Sequence, residues 1–166
     1  KFECDGTMLK SGRKSDPSFN WGSSKGAKIF VTLPRLVAAN VAGSGDMTVA
    51  AAEGDDFEAS NAGSGSITIA ALKVKSAEFN IAGSGEITAK GSAGTLKMAI
   101  AGSGDINAAG VKASQADASI AGSGSISADV DGSATVSIMG SGDVDMGKNA
   151  TCTTTKMGSG TVTCGK

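Results

Sequence analysis

The stretch Ile81-Ala82-Gly83-Ser84-Gly85-Glu86-Ile87-Thr88-Ala89 decides the architecture. It is one copy of a unit built on a Gly-Ser-Gly triplet. The triplets are Gly43-Ser44-Gly45, Gly63-Ser64-Gly65, Gly83-Ser84-Gly85, Gly102-Ser103-Gly104, Gly122-Ser123-Gly124, Gly140-Ser141-Gly142 and Gly158-Ser159-Gly160. They follow one another at steps of 20, 20, 19, 20, 18 and 18 residues. A fixed period in this range marks a solenoid, in which repeated units stack to share a core.

Residues alternate around each triplet. Two positions before the first glycine stand Val41, Asn61, Ile81, Ile100, Ile120, Ile138 and Lys156. Two positions after the second stand Met47, Ile67, Ile87, Ile106, Ile126, Val144 and Val162. In the third copy Ala77, Phe79 and Ile81 take one side, and Glu78 and Asn80 the other. A period of two means β-strand. Each copy therefore reads as a strand, a Gly-Ser-Gly corner, a second strand and a looser return. The corner calls for glycine because a sharp bend uses positive φ, which only glycine adopts cheaply.

Composition narrows the function. The chain has 166 residues, a net charge of −1, no histidine, no tyrosine and 25 glycines. One globular unit is expected, with residues 1–27 as an N-terminal cap or edge segment and residues 28–166 as the repeat domain. The near-neutral charge gives no electrostatic case for nucleic acid. No run approaches the ~18 apolar residues of a membrane helix, so no membrane span is expected. No signal peptide is evident, and the start at Lys1 suits a processed or trimmed chain. Small inner residues imply a narrow core.

Three cysteines stand at 4, 152 and 164. Cys152 and Cys164 fall at inner positions on the two strands flanking the last corner, which predicts a disulfide closing that coil. The alternative is two buried thiols. A disulfide points to an oxidising compartment. Cys4 is left over, to pair with upstream residues, to pair between chains or to stay free. Without histidine or a C-x-x-C spacing, no metal site is expected. Lys156 occupies an aliphatic slot in the last coil, where it reaches water or another molecule. Asn61 occupies the same slot further down and needs internal hydrogen bonds.

Chemistry-bearing patterns point away from an enzyme. A phosphate loop is a single event opening a helix, whereas these triplets recur seven times and open strands. The serines of the triplets should form a hydrogen-bonded corner ladder, and no histidine stands by to activate one. Neither catalytic residues nor cofactors are expected. The outer acids Asp46, Glu86, Asp105 and Asp143 are interrupted by Ser66 and Ser125, which fixes no carboxylate pair. Glu53, Asp55 and Asp56 read as a solvated acidic loop, with a weak calcium site as the lesser reading. Thr48, Thr68 and Thr88 stand in one row, continued by Asn107, Ser127, Asp145 and Thr163; a row of this mixed kind reads as a solvated sheet face that resists edge aggregation, with flat-face binding of ice as the lesser reading.

The first residues depart from the repeat. Residues 1–10 suggest a hairpin around Asp5-Gly6. Residues 11–27 are loop-rich, and Phe19 and Trp21 are expected to plug the open end of the solenoid. The alternative for Trp21 is an exposed stacking platform. Residues 28–33 read as a strand ended by Pro34.

The run Ile29-Phe30-Val31-Thr32-Leu33-Pro34-Arg35-Leu36, the unit Val41-Ala42-Gly43-Ser44-Gly45-Asp46, the repeated Ile-Ala-Gly-Ser-Gly and the ending Cys152 to Gly165 together carry a resemblance. The chain resembles the head GIN domain of putative auto-transporter adhesins. That resemblance implies a right-handed parallel β-helix outside the bacterial cytoplasm, secreted, at the cell surface or periplasmic. It implies no catalytic residues. It also implies a further β-stretch before Lys1, either trimmed or supplied by another molecule.

The expectation is an all-β, right-handed parallel β-helix of about seven 18–20-residue coils with an N-terminal β cap. A left-handed helix is the second choice. Two functions follow. One is a non-enzymatic structural or adhesive surface module that joins itself end to end, with Cys4 and Lys156 as possible intermolecular contacts. The other is a flat-face module for glycan or, less readily, ice.

Overall fold

The computed structural model describes residues 2–5, 8–11 and 36–165. The chain divides into two compact units, Lys1–Thr32 and Leu33–Lys166. The described part of the first is an antiparallel hairpin of β1 (Phe2–Asp5) and β2 (Met8–Ser11), with Asp5 opposite Met8. This is the strand pair expected around Asp5-Gly6. Phe19, Trp21, the strand over 28–33 and Pro34 lie outside the described residues, as does the side chain of Cys4.

The second unit is a parallel β-solenoid. Its strands are β3 (Ala38–Gly43), β4 (Asp46–Val49), β5 (Ala52–Gly63), β6 (Ser66–Gly83) and β7 (Glu86–Gly102). They continue as β8 (Asp105–Gly122), β9 (Ser125–Gly140), β10 (Asp143–Asp145), β11 (Thr151–Gly158) and β12 (Val162–Thr163). Every pairing among these strands is parallel. No helix occurs among the described residues, so none is long and apolar enough to cross a membrane.

The triplets form one column. Gly43 pairs with Gly63, Gly63 with Gly83, Gly83 with Gly102, Gly102 with Gly122, Gly122 with Gly140 and Gly140 with Gly158. Seven corners bound six turns from corner to corner, so the expected seven coils are counted as about six. Steps of 18 to 20 residues coexist with a column in register because register shifts absorb the difference elsewhere. They fall between Ile69 and Leu72, between Thr88 and Lys90, and between Ala108 and Gln115.

Burial shows three sides to each coil. In β6 the buried residues are Ile67 and Ile69, then Leu72 and Val74, then Ala77, Phe79 and Ile81. Two adjacent residues that both point outward, Ala70 and Ala71, break the alternation, and Lys75 and Ser76 break it again. Each break is a corner, and the triplet is the third. The return expected to be loose is instead a hydrogen-bonded side: Ala52 pairs with Leu72, Leu72 with Gly91 and Gly91 with Val111. A coil whose backbone pairs with the coils above and below leaves few peptide groups unpaired, whatever its side chains. The alternation on that side is only two residues deep, too short to read as a strand.

The inner faces make one continuous apolar core. In one inner column bulk alternates from coil to coil, Phe57, Ala77, Leu96 and Ala116, while the next runs Ala59, Phe79, Met98 and Ala118. Phe57 and Phe79 are 2% and 0% exposed, so both rings are enclosed in a core otherwise built of smaller side chains.

The two glycines of a triplet serve different ends. The first has positive φ, +136° at Gly102, and a Cβ there would lie 2.2 Å from the Gly83 carbonyl oxygen. The second has no such φ. A Cβ on Gly104 would lie 2.5 Å from the Gly85 carbonyl oxygen and 2.7 Å from Ile81 Cγ2. Both glycines let successive coils touch; only the first is also there for the bend.

Gly102→Ala is therefore expected to destabilise the solenoid by about 3 kcal/mol or more, from strain and backbone overlap together. Gly45→Ala, whose added Cβ meets nothing within 4 Å among the described residues, should change stability by no more than about 0.5 kcal/mol. Urea midpoints of the two variants check this; equal midpoints would refute the distinction.

Candidate functional site

The side that follows each triplet presents two outward columns. One reads Asp46, Ser66, Glu86, Asp105, Ser125, Asp143 and Thr161. The other reads Thr48, Thr68, Thr88, Asn107, Ser127, Asp145 and Thr163. Neighbouring coils stand ~4.8 Å apart along these columns. The two columns hold five carboxylates, the rest being hydroxyls and one amide, and no lysine or arginine.

The serines that seemed to interrupt the acids are their partners. Asp46 Oδ1 accepts from the Ser66 backbone N–H at 3.1 Å and from its hydroxyl at 2.6 Å. Asp105 Oδ1 accepts from the Ser125 N–H at 3.1 Å and from its hydroxyl. Asp143 Oδ1 accepts from the Thr161 N–H at 2.9 Å. Where no aspartate stands below, the same N–H goes to a glycine carbonyl, as Glu86 N–H does to Gly65 at 3.1 Å. An aspartate followed one coil later by Ser or Thr is the signal in the chain that marks these pairs, and reading the acids along the sequence alone misses it. Glu86, one carbon longer, instead accepts from the Thr88 hydroxyl at 2.8 Å.

The serine column of the corners is bonded through its backbone. Ser64, Ser84, Ser103, Ser123, Ser141 and Ser159 each donate N–H to the first glycine of the coil before, at 2.9–3.0 Å. All seven corner serines are exposed. The corner ladder is thus made of amides, and its hydroxyls face outward.

The acidic patch lies in β5, not in a loop. Asp55 pairs with Lys75 one coil on, at 2.7 Å. The hydrogen bond to Asp55, and then its charge, hold the Lys75 ammonium above the ordinary lysine range. A raised lysine pKa adds stability below the ordinary lysine range that is lost as pH rises through the shifted value. The pair is well exposed, so this contribution is slight.

Asn61 and Lys156 share a slot and a device. Asn61 is 1% exposed; its Nδ2 donates to the Gly65 carbonyl and, at 3.4 Å, to that of Glu86. Its Oδ1 is buried without a partner. Lys156 Nζ donates to the Gly160 carbonyl at 2.9 Å. In both cases a side chain reaches four residues ahead to the second glycine of its own corner.

Cys152 and Cys164 form a disulfide with Cα atoms 6.2 Å apart. It spans the last coil, whose other inner slots hold Thr154 beside Val136 and Lys156 beside Ile138 of the coil before. A cleft of about 450 Å³ opens over this coil, lined by Thr151, Cys152, Thr154, Lys156, Val162 and Cys164. A second, shallow depression of about 300 Å³ lies on the acid and hydroxyl side and includes Ser127, Asp143, Asp145, Thr161 and Thr163. Two large apolar side chains that the periodicity does not single out, Met139 and Met157, stand paired and exposed just before the last two corners. Among the described residues no group of three or more His, Cys, Asp or Glu could hold a metal ion.

Replacing Asn61 by Ile, the residue of the neighbouring coils, removes an orphaned buried oxygen and should raise stability by about 1–2 kcal/mol. Asp105→Ala removes both bonds to Ser125 and should lower it by about 1 kcal/mol. Thermal and urea unfolding of each variant check these directions, and an Asn61→Ile protein less stable than the parent would refute the first.

No curated protein matches the chain in sequence. The crystal structure of a putative lipid binding protein from Parabacteroides distasonis ATCC 8503 is similar, with a TM-score of 0.64 and 24% identity. The match covers 80% of this chain and 62% of that one, so it spans under two thirds of the neighbour's length and shows a common fold. Residues 1–150 match the family described as putative auto-transporter adhesin, head GIN domain. With only residues 151–166 outside that match, and with the corner column its repeats produce, the chain belongs to the putative auto-transporter adhesin head GIN domain family.

Proposed function

We propose that this domain is a non-enzymatic contact module of the bacterial cell envelope, working outside the cytoplasm by presenting flat sides to other molecules. The observation that carries the reading is the single column of corners. With every coil turning at the same place, the sides of the described coils run on without long loops to wall a groove along them. The family's description as an adhesin head supports contact as the task. Self-association, end to end, is the finer form of this reading. It is supported by β11 and β12, which among the described residues each have a strand neighbour on one side only. Unpaired edges are templates for another chain. Immobilised domain should retain envelope material from intact bacteria or a second copy of itself, and antibody should reach it on intact cells. Recovery of the domain from the cytoplasmic fraction alone, or turnover of a polysaccharide by the purified domain, would overturn the proposal.

A second reading is a glycan-binding side. The shallow depression around Asp143 and Asp145 favours it over ice. Its carboxylates and hydroxyls stand at coil spacing, and such groups meet sugar hydroxyls as acceptors and donors. Ice would need the threonine row unbroken, and that row passes to Asn107, Ser127 and Asp145 after three coils. A glycan array is expected to give signal that Asp143→Ala with Asp145→Ala removes. An ice-recrystallisation assay is expected to give none; activity that Thr68→Tyr with Thr88→Tyr abolishes would reverse the ranking.

A further inference from the structure

The side that precedes each triplet presents three outward columns in register. The column beside the corner is apolar throughout: alanines from Ala42 to Ala121, then Met139 and Met157. The middle column, from Asn40 to Thr155, carries no charge. The outer column holds Glu58, Glu78, Lys97 and Asp117, and ends in Thr135 and Thr153. Charge is thus confined to one edge of a side otherwise made of small groups. Met139 and Met157 are 58% and 70% exposed, so nothing among the described residues covers them. A continuous exposed apolar row on a polar surface marks a contact.

We propose that this side is the contact between two copies of the chain, laid face to face and antiparallel. The proposal rests on the flat sides of the reading above, and it leaves the ends of the solenoid free. A two-fold axis running across the coils sets each column against itself in reverse. Placed between the coil of Lys97 and the coil of Asp117, it brings Lys97 of each copy opposite Asp117 of the other. The two are also neighbours within one chain, one coil apart, with no ion pair between them. The same register sets Met139 opposite Ala82 and Met157 opposite Ala62, so bulk meets a gap at both ends. Glu78 and Glu58 then face Thr135 and Thr153, whose hydroxyls can donate to them. A slip of one coil sets Lys97 against Lys97 in one direction and Asp117 against Asp117 in the other. Like charges facing across a contact reject both slips. Charge and shape therefore select one register independently. Over six coils the side is about 16 Å wide and about 29 Å tall. Two such sides bury on the order of 900 Å², which suits a weak, reversible dimer.

The test uses the whole chain, with molar mass by light scattering over a concentration series up to millimolar. The parent is expected to dimerise as concentration rises. Ala101→Arg puts a bulky charge on an exposed residue at the centre of the contact and should abolish that dimer. Lys97→Asp should weaken it about tenfold. Lys97→Asp with Asp117→Lys restores opposite charges and should recover most of the loss. Melting temperatures show that each variant folds. Register is read in a Cys4→Ser background by mixing a Ser60→Cys chain with a Thr155→Cys chain. A short bismaleimide should join the two to each other and neither to its own kind. Joining through the ends survives Ala101→Arg, which separates the two contacts. Association that Ala101→Arg leaves unchanged overturns this face and keeps the contact-module reading. A parent that stays monomeric throughout overturns it too, and end-to-end joining with it. Recovery from the cytoplasmic fraction alone removes that reading and leaves the dimer standing.

Discussion

Close approach of backbone to backbone at one corner governs the rest of this molecule. Coils stack with parallel ladders only if each passes its neighbour at hydrogen-bonding distance all the way round. At the corner the chain bends, and any side chain there would push the next coil away. Two glycines resolve the conflict: both are thin, and the first also adopts a φ closed to other residues. Between them the serine amide bonds down to the coil before. Once that corner is set, the three sides follow from alternation, and the core follows from the sides.

Much of this is legible in the chain itself. The spacing of the triplets announces stacking, and the isoleucines at 81, 87, 100, 106, 120 and 126 announce which side faces in. Three features are hidden, each for a physical reason. The third side is too short, at Leu72 to Val74, to carry a recognisable alternation. The alliance of Asp46 with Ser66, and of Asp105 with Ser125, links residues a full coil apart, so along the chain the serines look like interruptions. The two roles of glycine cannot be separated by residue type, because a missing Cβ looks the same whether the reason is torsion or space.

The same geometry explains why the outer surface is mild. A solenoid whose aspartates are engaged with the amides of the next coil uses its charges partly as fastenings. The carboxylates of Asp46, Asp105 and Asp143 each commit an oxygen in this way. Charge that also serves the fold is not readily exchanged for another kind, which keeps this side anionic and rich in hydroxyls along its length. Lys90 stands only at the corner that ends this side, and Lys75 meets Asp55 further round the coil. Such a side offers partners breadth rather than depth.

The register shifts have a consequence of their own. All of them lie away from the glycine column, where the coil turns onto and off its shortest side. One coil can therefore be longer or shorter than the next without disturbing the stack. That edge works as an expansion joint: extra residues inserted there would bulge into solvent while the coils on either side keep their alignment. A designer wishing to display a foreign peptide on this scaffold would begin at the seam near Ala70 and Ala109, and leave the opposite spine untouched.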